Sequence, residues 1–231
     1  MTTFPPDLDG GAARPAVVML RPIATPLSLG FAALAVASFT LAALELRWID
    51  PVANFTTVGL VVLAFTAPLQ LVAAVYGFLG RDAIAASGLG ILFGAWLAIG
   101  STMYTSPAGS TSSGLGIFLI GVATVLTAPA LAGLSSKIVA AGVMVSVAVR
   151  FYLTGAYQLT GTGGWRVAAG VSGLVVAGLA LYAAFAYEIE AAQRRTVLPT
   201  GRVGPGRAAL ARDFAEEMAG IEHDPGVRRQ L

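Results

Sequence analysis

The sequence has no cysteine and a single histidine, His223. The first absence excludes disulfides, thiolate metal sites and cysteine nucleophiles. The second leaves one candidate imidazole, near the C-terminal end. Charge is scarce as well. Only 11% of the 231 residues are charged, against about 25% in a soluble domain. Between residues 51 and 187 there are five charges: Arg81, Asp82, Lys137, Arg150 and Arg166. A stretch this poor in charge cannot cover a water-exposed surface and needs lipid as its solvent. No phosphate loop, haem ligand pair or metal spacing is present, and no loop between apolar segments could hold a soluble catalytic site. An enzyme is therefore not expected, nor a metal or other cofactor. The net charge is only +2, carried mostly by arginines outside the apolar block, so nucleic acid is not an expected partner. The first 14 residues include Pro5, Pro6, Asp7 and Asp9. They lack the basic start and apolar core of a signal peptide.

What the sequence does contain is apolar residues, 56% of the total. A bilayer crossing needs about 20 of them in a helix. Six windows qualify, at roughly residues 26–46, 55–79, 83–104, 113–135, 138–157 and 167–187. They imply an all-α, six-helix transmembrane bundle, multi-pass in the cell membrane. Turn chemistry separates them: residues 47–51 end on Pro51, Gly80-Arg81-Asp82 follows the second window, and Ser106-Pro107-Ala108-Gly109-Ser110 the third. Ser135-Ser136-Lys137 follows the fourth, and Gly161-Thr162-Gly163-Gly164 precedes the sixth.

With the N-terminus inside, eleven basic residues fall on the cytoplasmic side: Arg14, Arg21, Arg81, Lys137, Arg194, Arg195, Arg202, Arg207, Arg212, Arg228 and Arg229. Two, Arg47 and Arg166, fall outside. Lysine and arginine concentrate on the cytoplasmic side, so both termini are expected there, with Trp48 and Trp165 near the outer interface. Three regions follow: a cytoplasmic segment (1–22), a transmembrane unit (23–199) and a cytoplasmic tail (200–231) that starts with a flexible glycine link. In the tail, Leu210, Phe214, Met218 and Ile221 form one stripe of a short amphipathic helix.

Polar groups inside the windows are few. Arg150 lies seven residues from the end of its window. It reads either as an anion attractor in the outer half of a path or as a snorkelling side chain. Thr66-Ala67-Pro68 and Thr127-Ala128-Pro129 recur 61 residues apart. Each proline blocks a backbone bond to the residue four before it, which marks a kink and a carbonyl that must find another partner. Gln70 and several hydroxyls, among them Thr66, Thr102 and Ser146, add hydrogen-bonding capacity. Gly90 and Gly94, four apart, allow close helix approach.

Arg195-Thr196-Val197-Leu198-Pro199-Thr200-Gly201 resembles the closing Arg-Thr-Val-Leu-Pro-x-Gly of the acetate uptake transporter family, the succinate–acetate/proton symporters. That family's entry motif, Asn-Pro-Ala-Pro-Leu-Gly-Leu, is matched at Pro26, Leu27 and Leu29 within Ile23-Ala24-Thr25-Pro26-Leu27-Ser28-Leu29. The asparagine and first proline are absent. Gln70 and Trp96 also stand 26 residues apart, as in the family. The resemblance spans residues 23–201. It implies a six-helix protomer with its own pore, a homo-oligomer (a hexamer in the family), and passage of acetate and related carboxylates, with protons or channel-like. It implies a narrow apolar waist at Leu92 and Val147, with Phe31 or Ala32 as the third member. The expected substrate path is Pro26, Leu27, Phe31, Gln70, Leu92, Val147 and Arg150. The competing expectation is a non-transporting membrane scaffold or sensor acting through its tail.

Overall fold

The computed structural model describes residues 24–193, 195–204, 206 and 207. Ile23, Arg194 and the tail stripe from Leu210 to Ile221 lie outside them. The elements are α1 (Leu27–Glu45), α2 (Pro51–Val61), a π-helical turn (Val62–Thr66), α3 (Ala67–Leu79), α4 (Ala83–Thr105), α5 (Ser113–Gly133), α6 (Ile138–Thr160) and α7 (Gly163–Gln193). With α2, the π turn and α3 counted as one, six helices among the described residues are long and apolar enough to cross a membrane. The chain is a multi-pass, all-α membrane protein.

Helix ends follow local chemistry. The Asp50 carboxylate accepts from the amides of Val52 (2.7 Å) and Ala53 (3.1 Å), and Pro51 occupies the first helical position. This cap starts the second span at residue 51 rather than 55. Asp82 and Ser112 cap α4 and α5 in the same way. α1 and α3 each close on an arginine in the left-handed region, Arg47 (φ 60°) and Arg81 (φ 59°). Each is followed by an amide reaching back to the third-last helical carbonyl: Trp48 to Ala43 (2.8 Å) and Asp82 to Gly77 (2.9 Å). The last span is longer at both ends than its apolar window. Gly163 and Gly164 are helical, and α7 continues to Gln193 for 31 residues. That is about 46 Å, well beyond a hydrocarbon core of about 30 Å, so its final turns stand clear of the lipid.

Each span packs against the preceding one, and α7 packs back on α1. The spans thus form a closed ring in sequence order around a central axis. Lipid supplies no hydrophobic drive between helices, so close packing must hold them. The closest approaches are not at Gly90 or Gly94. At Gly94 an added Cβ would meet nothing within 4 Å, whereas at Gly155 it would stand 2.9 Å from the Gly116 carbonyl, where α5 crosses α6.

The two Thr-Ala-Pro segments differ. Pro68 follows the π turn, which shifts the hydrogen-bond register just ahead of it, and Thr66 is buried with its hydroxyl donating to the Ala33 carbonyl (3.4 Å). Pro129 lies inside an uninterrupted α5, and Thr127 is exposed, bonded to the Thr124 carbonyl (2.6 Å) of its own helix.

After α7 the chain turns back beneath the bundle as a strap. Ile138 and Val139 donate to the carbonyls of Gly201 (3.0 Å) and Thr200 (3.4 Å), and Val203 donates to Ser136 (3.0 Å). Gly201 has φ +64°, and a Cβ there would sit 2.8 Å from Ile138 Cβ. Residues 200–204, expected as the start of a flexible link, are instead packed on the start of α6.

Candidate functional site: an arginine-lined cavity above an apolar waist

Among the described residues a cavity lies at each end of the ring. At the end away from the strap, the open end, a cavity of about 450 Å³ is walled by all six spans. Its charged lining is Glu45, Arg47, Arg150 and Arg166, three positive groups against one negative. The deeper lining is apolar. Trp96 and Phe151, 5.6 Å apart and edge to face, lie there with Leu119. At the strap end a pocket of about 20 Å³ is bordered by Leu27, Ala85, Pro129, Lys137 and Met144, among others.

Between the cavities the axis is filled. One turn below Trp96 is Leu92; one turn below Phe151 is Val147. Both are fully buried, as are Phe31, Leu34, Leu89 and Leu126, and all belong to one apolar cluster. Along α6 the partition runs from Phe151 to Met144, seven residues or about 10 Å. Leu92, Val147 and Phe31 are all in this buried cluster, while Leu27 borders the strap-end pocket and Arg150 the open-end cavity. Pro26 precedes the first turn of α1. Phe31 stacks on Tyr187 of α7, with ring centroids 6.0 Å apart. Gln70 is buried beside α1. Its Nε2 donates to the Gly30 carbonyl (2.8 Å), and its Oε1 has no partner among the described residues.

Arg150 neither snorkels nor stands free. Its side chain is 1% exposed. Nη2 donates to Glu45 Oε2 (3.1 Å) and Nη1 to the Ala169 carbonyl (3.0 Å). Gly173 makes room for it: a Cβ there would fall 1.4 Å from Nη1. Arg166 donates to the Glu45 backbone carbonyl. Glu45, which from sequence is only a helix-end residue, is therefore the centre of the open-end charge cluster. Two residues lining the cavity, Trp96 and Thr154, each carry a donor, Nε1 and Oγ1, that is buried without a partner among the described residues. Such atoms are rare in folded proteins and call for a ligand or water.

The Arg195–Gly201 motif lies at the other end. Arg195 and Val197 are exposed. Thr196 and Thr200 donate to Glu190 Oε2 (3.0 and 3.1 Å), Arg202 Nε donates to Oε1 (2.8 Å), and the Pro199 carbonyl accepts from Tyr182 (2.9 Å). The motif ties the strap to α7; it lines neither cavity. Asp82 and Lys137 pair beside it.

No protein-family model matches this sequence, and no curated protein matches it. Among solved structures it is similar to one titled "Structure of the bacterial acetate channel SatP", with a TM-score of 0.69 and 18% identity. The match covers 78% of this chain and all of that one. The two proteins share a fold.

Proposed function

We propose that this protein is a membrane channel or transporter for small monocarboxylates such as acetate, and that the acid crosses the waist in its neutral form. The observation that carries the reading is the electropositive cavity of about 450 Å³ ending on a closed apolar partition. The fold shared with an acetate channel supports it. A carboxylate moved into an apolar constriction without a partner meets a large desolvation cost; a neutral acid with one polar group costs a few kcal/mol, on the order of 2–7. A simple carboxylic acid with pKa about 4.3 is only about 0.2% neutral at pH 7. An arginine-rich antechamber raises the local concentration of the anion that supplies this form.

Pro26 and Leu27 belong at the strap-side mouth of the path, Leu92, Val147 and Phe31 at the waist, and Arg150 in the antechamber. Gln70 braces α1 beside the waist. The excess of basic residues on the strap side supports a cytoplasmic strap and termini, so the large cavity opens to the outside. A homo-oligomer, six copies by the family resemblance, belongs to the same proposal, with a 1–22 segment and a tail from residue 200 flanking the transmembrane unit.

The test is uptake of labelled acetate, propionate, lactate and succinate by proteoliposomes holding pure protein, with and without an inward proton gradient. Acetate uptake above protein-free vesicles is expected. No uptake of any of the four, under either condition, removes the proposal.

A further inference from the structure

Resting on that reading, we propose that Glu45 and Arg150 form a proton-exchange station, in which Glu45 protonates the carboxylate that Arg150 binds. Arg150 is fixed by Gly173 and Ala169, so its position does not depend on Glu45 alone. Glu45 receives one side-chain hydrogen bond among the described residues, from Arg150, and it lines the cavity. An incoming carboxylate can replace it on the guanidinium once Glu45 is neutral. Trp96 and Thr154 line the same cavity, and each carries a buried donor, Nε1 and Oγ1, without a partner among the described residues, which suits the remaining carboxylate lone pairs. The site accordingly takes a carboxylate with a short apolar tail, the tail lying against Trp96 and Phe151.

The step balances. Glu45 takes up a proton from the solution at the open end and releases Arg150. The substrate anion then pairs with Arg150. Glu45 transfers its proton to that anion, the neutral acid enters the waist, and the restored Glu45 carboxylate re-pairs with Arg150. One carboxylate and one proton leave the cavity per cycle, and Arg150 stays charged throughout.

The groups facing Glu45 are few. Arg150 and Tyr157 of α6, Arg166 of α7 and Arg47 of the following loop share the cavity. The linings from α2, α4 and α5 carry no ionisable side chain. Asp50 spends its carboxylate capping α2. Glu45 is the cavity's sole carboxylate among the described residues.

The test is acetate binding to the purified full-length protein by calorimetry at pH 7, in two buffers of different ionisation enthalpy. Wild type should take up about one proton per acetate bound, and Glu45→Gln should bind acetate with none. Arg150→Lys, which keeps the charge but not the fork geometry, should weaken binding with proton uptake retained. No acetate binding, no proton uptake by wild type, or equal uptake by wild type and Glu45→Gln each overturns the inference. Proton-linked binding without any flux in vesicles would remove the transport reading instead.

Discussion

The two ends of the bundle each carry a carboxylate paired with an arginine, Glu45 half-buried and Glu190 buried, and the two pairs are built differently. Glu190 receives bonds from Thr196, Thr200 and Arg202 on both of its oxygens. Its capacity is filled by the strap, and Arg202 lies 5.9 Å over the Tyr187 ring, which stacks on Phe31. Glu45 has one side-chain bond and an open cavity beside it. A saturated carboxylate fastens parts together. An under-bonded one next to a cavity remains available to a ligand or a proton.

Substitutions that separate the two roles follow in order of size. Glu190→Ala leaves the half-buried Arg202 without its carboxylate partner and should cost about 3 kcal/mol. It should be read as a lowered melting temperature in detergent with faster hydrogen exchange across residues 195–204. Gly201→Ala places a Cβ against Ile138 at a positive φ; about 2 kcal/mol is expected, measured the same way. Glu45→Gln keeps an acceptor for Arg150 and should cost about 1 kcal/mol, although it alters proton-linked binding. Arg195→Ala removes an exposed side chain, whose hydrogen bond among the described residues is to Gln193, and should change stability by less than about 0.5 kcal/mol. If Glu45→Gln destabilises as strongly as Glu190→Ala, the contrast between the ends is lost.

The fold was legible because lipid imposes a simple rule: an apolar helix long enough to cross reads as one in the sequence. Six windows became six spans. The errors came at helix ends. Asp50 and Pro51 began the second span early, and Gly163 and Gly164 were drawn into α7. The site was less legible. Leu92, Val147 and Phe31, expected at the waist, are all fully buried in one apolar cluster. Arg150 is visible as a lone cation, yet its partner is not, because α1 ends at Glu45 while α6 continues ten residues past Arg150. Helices that stop at different heights hide which residues share a depth. The Arg195–Gly201 motif was readable as a pattern, but its most buried residue is Thr200, the variable position, and the carboxylate it serves is five residues upstream of the motif.

The central claim is that acid passes through the waist. The most direct measurement is the ratio of butyrate to acetate uptake in proteoliposomes holding Leu92→Ala, compared with wild type. Truncating this fully buried side chain widens the partition, and a ratio taken within one preparation cancels any loss of folded protein. The ratio should rise, because the longer tail gains most from the added width. An unchanged ratio, with acetate uptake still present, would place the path elsewhere and contradict the account.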